Sequence, residues 1–459
     1  MKTIKTHKNM TSRRDFIKKV AVGTVGTAAL SVGGVLPGFS AKSYKNIVGS
    51  NDKIKLAAIG VNARGNSLAG GFAKEKGCEI SHVCDVDARA IAKCIANVKK
   101  IAGNTPKGEK DIRKLLEIKD IDGVIIATPE HWHAPGALMA MKAGKHVYLE
   151  KPTSHNPAEN EILMEAVKKY NVKVQTGMQR RSWPNVIQAI EEVRSGAIGE
   201  VKFGKAWYAN NRASIGIGKI VPVPEWLDWE LWQGPAPRVK EFKDNYLHYH
   251  WHWFYHWGTG ESGNNGVHFI DILRWGMDLE YPTEVSSTGG RYYYQDDWQF
   301  PDTQVVNLEY NKEKLITWEG RSTNNKTIDD QTVGCAFYGS EGVIVIGSGN
   351  TYKVYDNNNK LIKDVTSEMG FRAGDTVNPT QSLDSYHFSN FLDAIRKNTP
   401  LATDINVGGV SSTLAQLGNI SQRIGATFRI NPENGRIIKN KAAQKLWSRK
   451  YEKGWEMKL

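Results

Sequence analysis

The sequence predicts an α/β fold: an N-terminal Rossmann doubly wound parallel sheet, then a C-terminal α+β region with a large, mostly antiparallel sheet. Three observations carry this. Short apolar runs separated by single helical stretches recur from Lys53 to Gly177. The first of them enters Gly60-Val-Asn-Ala-Arg-Gly65 and then a helical stretch. Beyond Gly177 the apolar positions alternate over short segments joined by turns, as in strands with one solvated face.

In chain order, the strand at 53–60 meets the glycine turn, and a helix is predicted over 66–76. Strand, glycine turn, helix is the arrangement that places a pyrophosphate on a helix N-terminus. Asn62 stands where the usual G-x-G-x-x-G pattern has its middle glycine, and asparagine tolerates left-handed backbone. The strand at 79–85 ends in Asp85, spaced from Gly65 as ribose recognition requires. A carboxylate there repels a 2′-phosphate, which favours NAD over NADP, and Arg89 one helical turn on moderates the preference. A strand at 122–129, a helix at 133–144, a strand at 146–150, a helix at 157–170 and a strand at 172–177 follow.

The strand containing Val147 to Leu149 stops at Glu150-Lys151-Pro152 because proline cannot continue a ladder. Lys151 is thereby presented at the C-terminal edge of the sheet, where ligands bind in open parallel folds. A lysine held there can exchange a proton with a substrate hydroxyl. The bland alternative is a solvated lysine at a loop exit.

The second half is read as a helix at 183–196, strands at 200–208, 284–294, 303–310, 314–320, 333–339 and 342–346, and late helices at 384–397 and 406–424 that return to the first half. Tyr246-Leu-His-Tyr-His-Trp-His-Trp-Phe-Tyr-His-Trp257 admits three readings. Its aromatics could wall a carbohydrate site, form packed core, or frame a metal held by His248, His250, His252 and His256. Alternation puts the first three histidines on one side of a strand. The carbohydrate wall ranks first and the metal last.

The glycine turn, Thr128-Pro129 followed by His131 and His133, Glu150-Lys151-Pro152, and Gly263-Asn-Asn-Gly-Val-His-Phe-Ile-Asp-Ile-Leu-Arg-Trp275 together resemble the Gfo/Idh/MocA family of nicotinamide-dependent sugar and polyol oxidoreductases. The resemblance runs from about Lys53 to about Ile424. It implies NAD as cofactor, held by Gly60, Asn62, Ala63, Arg64, Gly65, Asp85, Thr128, Pro129, His131, His133, Glu150, Lys151 and Gln179. It implies catalytic roles for Lys151, His268, Asn264 and Asp271, and substrate contacts from Lys151, Arg181, Trp253, Asn264 and His268, with no metal. Asn264 occupies the family's usual aspartate position. An amide can hydrogen-bond a hydroxyl but cannot take its proton, so acid–base work falls to His268 and Lys151. On helical spacing Asn264, His268 and Asp271 share a face. The alternative for His268 is a buried structural histidine.

Residues 2–19 are basic and contain Ser12-Arg-Arg-Asp-Phe-Ile-Lys18, and a short, weakly apolar run follows over 20–35. This reads as a twin-arginine (Tat) signal peptide over 1–41, with an uncleaved anchor as the alternative. The expected divisions are 51–176, an NAD-binding Rossmann domain, and 177–459, a substrate-binding and oligomerisation domain. Of the formal charge of +13, residues 1–50 carry +8, with nine Lys or Arg against Asp15. The +5 that remains, much of it beyond Arg436, does not call for nucleic acid, and the basic tail is read as a solvated surface helix. Cys78, Cys84, Cys94 and Cys335 lack metal-ligand spacing and are expected as free, mostly buried thiols.

The reading that follows is an exported, periplasmic, NAD-dependent oxidoreductase acting on a C–OH of a sugar, glycoside or cyclitol. Its cofactor would be tightly bound, and it would form a homo-oligomer, dimer or tetramer, through the C-terminal sheet. The alternative is a redox-neutral glycoside hydrolase that oxidises, eliminates, adds water and re-reduces. Relatives that do this carry a His-Gly-Gly run absent here. A non-catalytic carbohydrate-binding protein on the same fold is the third reading.

Overall fold

The computed structural model describes residues 53–366 and 381–459, so the stretch over 1–41 read above as a signal peptide lies outside the described residues. Strands β1 (Ile54–Ile59), β2 (Cys78–Cys84), β3 (Lys107–Glu109), β4 (Gly123–Ile126), β5 (His146–Leu149) and β6 (Val174–Thr176) pair in the order β3-β2-β1-β4-β5-β6. Every pairing is parallel. The strand order reverses at β1, between β2 and β4, so a crevice opens at the carboxyl ends there. All residues of β4 and β6 are buried, which explains their unbroken apolar character.

Helices α1 (Arg64–Phe72), α2 (Ala88–Ala102), α3 (His133–Lys142) and α4 (Pro157–Tyr170) cover this sheet. Local chemistry sets their ends. In α4 the Asn156 side chain accepts from the Glu159 N–H at 3.3 Å, Pro157 opens the first turn, and Asn171 closes the helix at φ 48°. α1 begins directly after the glycine turn, two residues before the predicted start, and stops at Phe72.

The second sheet has ten strands in the order β14-β13-β12-β11-β7-β10-β9-β8-β15-β16. These are β7 (Val201–Ala209), β8 (Glu284–Gly290), β9 (Thr303–Tyr310), β10 (Lys314–Arg321), β11 (Val333–Gly339), β12 (Gly342–Ile346), β13 (Tyr352–Asp356), β14 (Leu361–Val365), β15 (Phe428–Ile430) and β16 (Ile437–Ile438). Only β7 and β10 pair in parallel among these strands. Along β9 partly exposed and buried residues alternate strictly, the period the sequence shows. Helix α5 (Val267–Gly276) packs Val267, Ile270 and Leu273 beneath this sheet against Ile316, Trp318 and Phe337.

Two late helices do return to the first half. α6 (Asp384–Lys397) stacks Phe388 on Phe72, with ring centroids 4.2 Å apart. α7 (Ile405–Ile424) is buried over most of its length and fastens the loops between the sheets with polar side chains. Its Ser412 hydroxyl accepts from the Thr153 N–H at 3.0 Å, and its Asn419 amide donates to the Thr259 carbonyl at 2.6 Å. Gln416 donates to the Ser154 carbonyl at 2.8 Å.

The basic tail departs from expectation. Only a single turn at Lys441–Gln444 is helical, and the chain beyond packs onto the first half. Arg449 Nε donates to the buried Glu159 carboxylate at 2.8 Å, and Arg449 Nη2 to the His131 carbonyl at 2.6 Å. Trp455 packs edge-on against Trp132 at 5.1 Å. A buried carboxylate and an apolar ring recruit the segment that charge alone suggested was solvated. The four cysteines are free, three of them buried. Among the described residues no helix is long and apolar enough to cross a membrane.

Candidate functional site

A cavity of about 540 Å³ opens at the carboxyl edge of the parallel sheet and is closed on its far side by β7 and the aromatic segment. Its nucleotide end is built by the glycine turn. Gly60 sits at φ 78°, and a Cβ there would lie 2.6 Å from Thr128 Cα. A Cβ on Gly65 would lie 2.0 Å from the Gly60 carbonyl oxygen, so Gly65 supports the turn from below and does not wall the cavity. Asn62, Ala63 and Arg64 do wall it. Helix α1 starts with no side-chain cap and no acid in its first turn, leaving its N-terminal N–H groups free for an anion.

Asp85, at the end of β2, accepts from the Val61 N–H at 2.6 Å on one carboxylate oxygen and from the Asp87 N–H at 2.9 Å on the other. Burial pushes its pKa up to about 6, against the pull of those backbone donors. A carboxylate oxygen can accept more than one hydrogen bond, and Asp85 borders the cavity, so it can also receive a ribose hydroxyl. An uncapped helix start, a turn that admits no Cβ, and a carboxylate at the neighbouring strand end fit a dinucleotide. Thr128, Pro129 and His133 continue the wall, the His133 nitrogens lying 2.6 Å from the Pro152 carbonyl oxygen and 2.8 Å from that of Thr128. His131 does not join them, in contrast to the sequence expectation. Its Nε2 lies 2.9 Å from the Trp232 carbonyl oxygen, inside an aromatic cluster.

Glu150, Lys151, Gln179, Asn264 and His268 wall the same cavity, and Arg64 links Glu150 to the glycine turn. Arg64 Nε bonds Glu150 at 2.9 Å, and Arg64 Nη1 lies 2.9 Å from Asp384. Burial opposes the Glu150 charge, but Arg64 and Lys151 hold its pKa below the usual carboxylate range. Lys151 Nζ donates to the Asn264 main-chain oxygen at 2.6 Å and lies 3.4 Å from Asn264 Oδ1. Burial lowers the Lys151 pKa, with Glu150 and Glu130 opposing. Asn264 belongs to a π-helical turn, Ser262–Gly266, that feeds α5. His268 stands in the first turn of α5 with Nδ1 buried and without a partner. Burial, then the charges of Lys151, Arg180 and Arg64, push it well below the ordinary histidine value, so its imidazole is neutral.

Asp271 and Arg181 lie outside this group, which corrects both assignments. Arg181 Nε and Nη2 bond the two Asp271 carboxylate oxygens at 2.8 and 3.0 Å, and Ser411 donates to Asp271 at 2.6 Å. Each charge is satisfied by the other, and neither residue walls the cavity. Trp253 is likewise displaced from a substrate role. It stacks on Trp298 at 3.8 Å in the aromatic core.

The aromatic segment divides between two of its three readings. Tyr249, Trp251 and His252 wall the cavity, while Tyr246, Trp253, Phe254 and Trp257 are core. It forms a 3-10 turn at His250–Trp253 in place of a strand, so its histidines diverge. His248 faces Asp87 at 3.1 Å, His250 the Asn245 carbonyl at 3.1 Å, and His256 the Pro237 carbonyl at 2.6 Å. Among the described residues no three His, Cys, Asp or Glu are placed to hold a metal.

Sequence reasoning missed three charged groups on the cavity wall, Glu130, Arg180 and Arg212, and read Tyr249 only as part of the aromatic segment. Glu130 is buried beside the Thr-Pro motif, and burial pushes its pKa up to about 8 although Thr259 donates to it at 2.6 Å. Arg212, just beyond β7, donates to Tyr208 and Tyr249 hydroxyls at 2.8 and 3.0 Å and to Glu261 at 3.0 Å. Tyr249 holds φ 78°, strained for an aromatic residue, and its hydroxyl accepts from Asn264 Nδ2 at 3.1 Å.

Comparison with known proteins places this geometry. Residues 54–178 match an oxidoreductase family described as NAD-binding with a Rossmann fold, and residues 228–426 match its C-terminal alpha/beta domain. A glycosyl hydrolase family 109 protein of Shewanella sp. (strain ANA-3) is 30% identical over 331 residues, covering 68% of this chain and 67% of that protein. An alpha-N-acetylgalactosaminidase of Tannerella forsythia is 28% identical over 243 residues, 49% of this chain and 51% of that protein. Levoglucosan dehydrogenase in complex with NADH and levoglucosan superimposes with a TM-score of 0.61 at 17% identity, covering 82% of this chain and 99% of that one. The WlbA dehydrogenase from Bordetella pertussis, in complex with NADH and UDP-GlcNAcA, gives 0.61 at 16% identity, covering 83% and 99%. These structures share the fold.

Proposed function

The chain belongs to the Gfo/Idh/MocA oxidoreductase family and carries its NAD-binding Rossmann domain, and from that premise we propose that it oxidises a C–OH of a sugar, glycoside or cyclitol with a tightly held NAD. One observation supports this above the rest: Lys151, Asn264 and His268 wall the same cavity as the glycine turn and the uncapped helix start. When bound, NAD supplies the hydride acceptor. The chain's own residues do the rest. Lys151, as the neutral amine favoured by burial, takes the hydroxyl proton. Asn264 holds Lys151 through its main-chain oxygen and offers its amide to the substrate. His268, neutral with Nδ1 free, hydrogen-bonds the same hydroxyl. Trp251 and Tyr249 supply aromatic surface on the cavity wall for the apolar side of a sugar.

Export by the Tat route on residues 1–41 and location in the periplasm complete the proposal. Free NAD is scarce there, so the cofactor would be loaded before export and retained. Self-association would use the face of the ten-stranded sheet turned away from α5.

A second reading, redox-neutral glycoside cleavage in the same cavity, is favoured by the relative named for glycosyl hydrolase family 109 at 30% identity. One experiment separates the two. Nucleotide released by denaturation is identified, and native protein is screened with sugars and aryl glycosides for reduced-nicotinamide absorbance and freed aglycone. Lasting reduction supports the oxidoreductase, and aglycone without lasting reduction supports the hydrolase. Bound NAD with neither response to any compound overturns both.

A further inference from the structure

Most cations that border the cavity are paired. Arg64 has Glu150 and Asp384, Arg212 has Glu261, and Lys110 has Asp228. Lys151 donates to Asn264 and adjoins Glu150. Arg180 is different. It is 7% exposed, and its only hydrogen bond among the described residues runs from Nη1 to the Ser348 carbonyl at 2.5 Å. No carboxylate among the described residues pairs with it. Trp183 and Phe269 cover its guanidinium, each ring centroid 4.6 Å from Cζ. Rings on the guanidinium leave only its edge for polar partners, and the side chain borders the cavity. It lies close enough to His268 to depress that imidazole.

We propose that Arg180 receives an anionic substituent of the substrate, so that the cavity takes an acidic sugar in preference to a neutral one. This rests on the reading of the cavity as a sugar-oxidising site. A buried charge without a partner is costly unless something supplies the counter-charge. The planar fork of arginine matches carboxylate or sulfate oxygens two at a time. Burial lowers the Arg180 pKa to about 10, with the charges of Cys335 and Asp384 opposing. A bound anion reverses that shift. The nucleotide phosphates do not answer the need. Their place is the start of α1 after β1, while Arg180 follows β6, with β4 and β5 between them in the sheet. Uronate carboxylates and sugar sulfate esters share the required chemistry.

The test uses NAD-loaded protein. Calorimetry compares glucuronate, galacturonate and galactose 6-sulfate with glucose and galactose, and bound-NAD reduction is followed in parallel. The charged sugars should bind roughly tenfold to a hundredfold tighter than their neutral parents, as expected for hydrogen bonds to a charged group. Arg180→Gln should erase that difference, and Arg180→Lys should retain part of it. Melting temperature and NAD content check that both variants fold. A uronate advantage assigns a carboxylate, and an advantage of the 6-sulfate assigns a sulfate ester. If no charged sugar outbinds its parent on the unsubstituted protein, or if Arg180→Gln keeps the preference, the proposal is overturned. Preferential binding of acidic sugars with no NAD reduction by any sugar would instead count against the oxidoreductase reading.

Discussion

Replacing Lys151 with arginine asks whether the site needs a cation or a group that gives up a proton. Lys151 Nζ lies 2.6 Å from the Asn264 oxygen, and burial lowers its pKa against the pull of Glu150 and Glu130. The amine therefore sheds its proton at lower pH than an ordinary lysine, whose pKa is about 10.4. The rate of sugar oxidation should climb as pH rises through the Lys151 pKa and level off below that ordinary value. Arginine keeps its proton over the whole range, so Lys151→Arg preserves the charge and abolishes this limb. Loss of a positioned acid–base group costs ~10²–10⁴ in rate, or about 3–5 kcal/mol of barrier. Loss of the hydrogen bond to Asn264 alone would cost about 0.5–1.5 kcal/mol, roughly tenfold. The two magnitudes are separable in single-turnover reduction of bound NAD across pH, for the unsubstituted protein, Lys151→Arg and Lys151→Met. NAD content and melting temperature serve as controls. If Lys151→Arg stays within about tenfold and keeps the alkaline rise, proton transfer by Lys151 is refuted.

Asn264→Ala should be the milder of the two substitutions in the π-turn region. The main-chain oxygen that holds Lys151 survives, and only the amide contacts are lost, roughly a tenfold effect on turnover. His268→Ala removes the imidazole whose Nδ1 has no protein partner and should cost clearly more. Equal losses in folded, NAD-loaded variants would contradict this division of roles. Gly65→Ala places a Cβ 2.0 Å from the Gly60 oxygen, so the purified variant should lack nucleotide by mass spectrometry. A full complement of NAD would show that the turn can relax. Arg449→Ala leaves the buried Glu159 carboxylate with only Tyr451 Oη, at 2.8 Å, among its tail partners. Stability measured by denaturant titration should fall by about 3–5 kcal/mol, and a change below about 1 kcal/mol, the range of surface pairs, would mean the tail is not a clamp.

Most of the parallel sheet is legible in the sequence because burial on both faces forces unbroken apolar runs, as in β4 and β6, and glycine or proline follows β1, β4, β5 and β6, whereas the edge strand β3, Lys-Gly-Glu and largely exposed, gives no such signal. Lys151 is legible for the same reason, since Pro152 ends β5 at a place the fold reserves for ligands. The strands β13 to β16 escape notice. At the edge, β14 leaves Leu361 and Ile362 both exposed, which erases the alternation that marks β9. Asp271 misleads because helical spacing says which residues share a face but not what that face meets. Arg181, which claims it, is 90 positions away. The aromatic segment misleads through its own regularity. Alternating His and aromatic residues suggest a strand, but positive φ at Tyr249 and a 3-10 turn after it bring Tyr249, Trp251 and His252 to the cavity and Trp253 and Phe254 to the core.

The clamp formed by Arg449, Tyr451 and Trp455 has a consequence for biogenesis. Glu159 and Trp132, which it covers, belong to the first half of the chain, whereas Arg449 follows Glu159 by 290 positions and is translated well after it. Until that segment emerges the nucleotide-binding half carries Glu159 without its arginine and the Trp132 indole without its lid. Its consolidation waits for Trp455 to leave the ribosome. Vectorial synthesis, which lets most early domains settle first, here couples their completion to residues made 290 positions after Glu159.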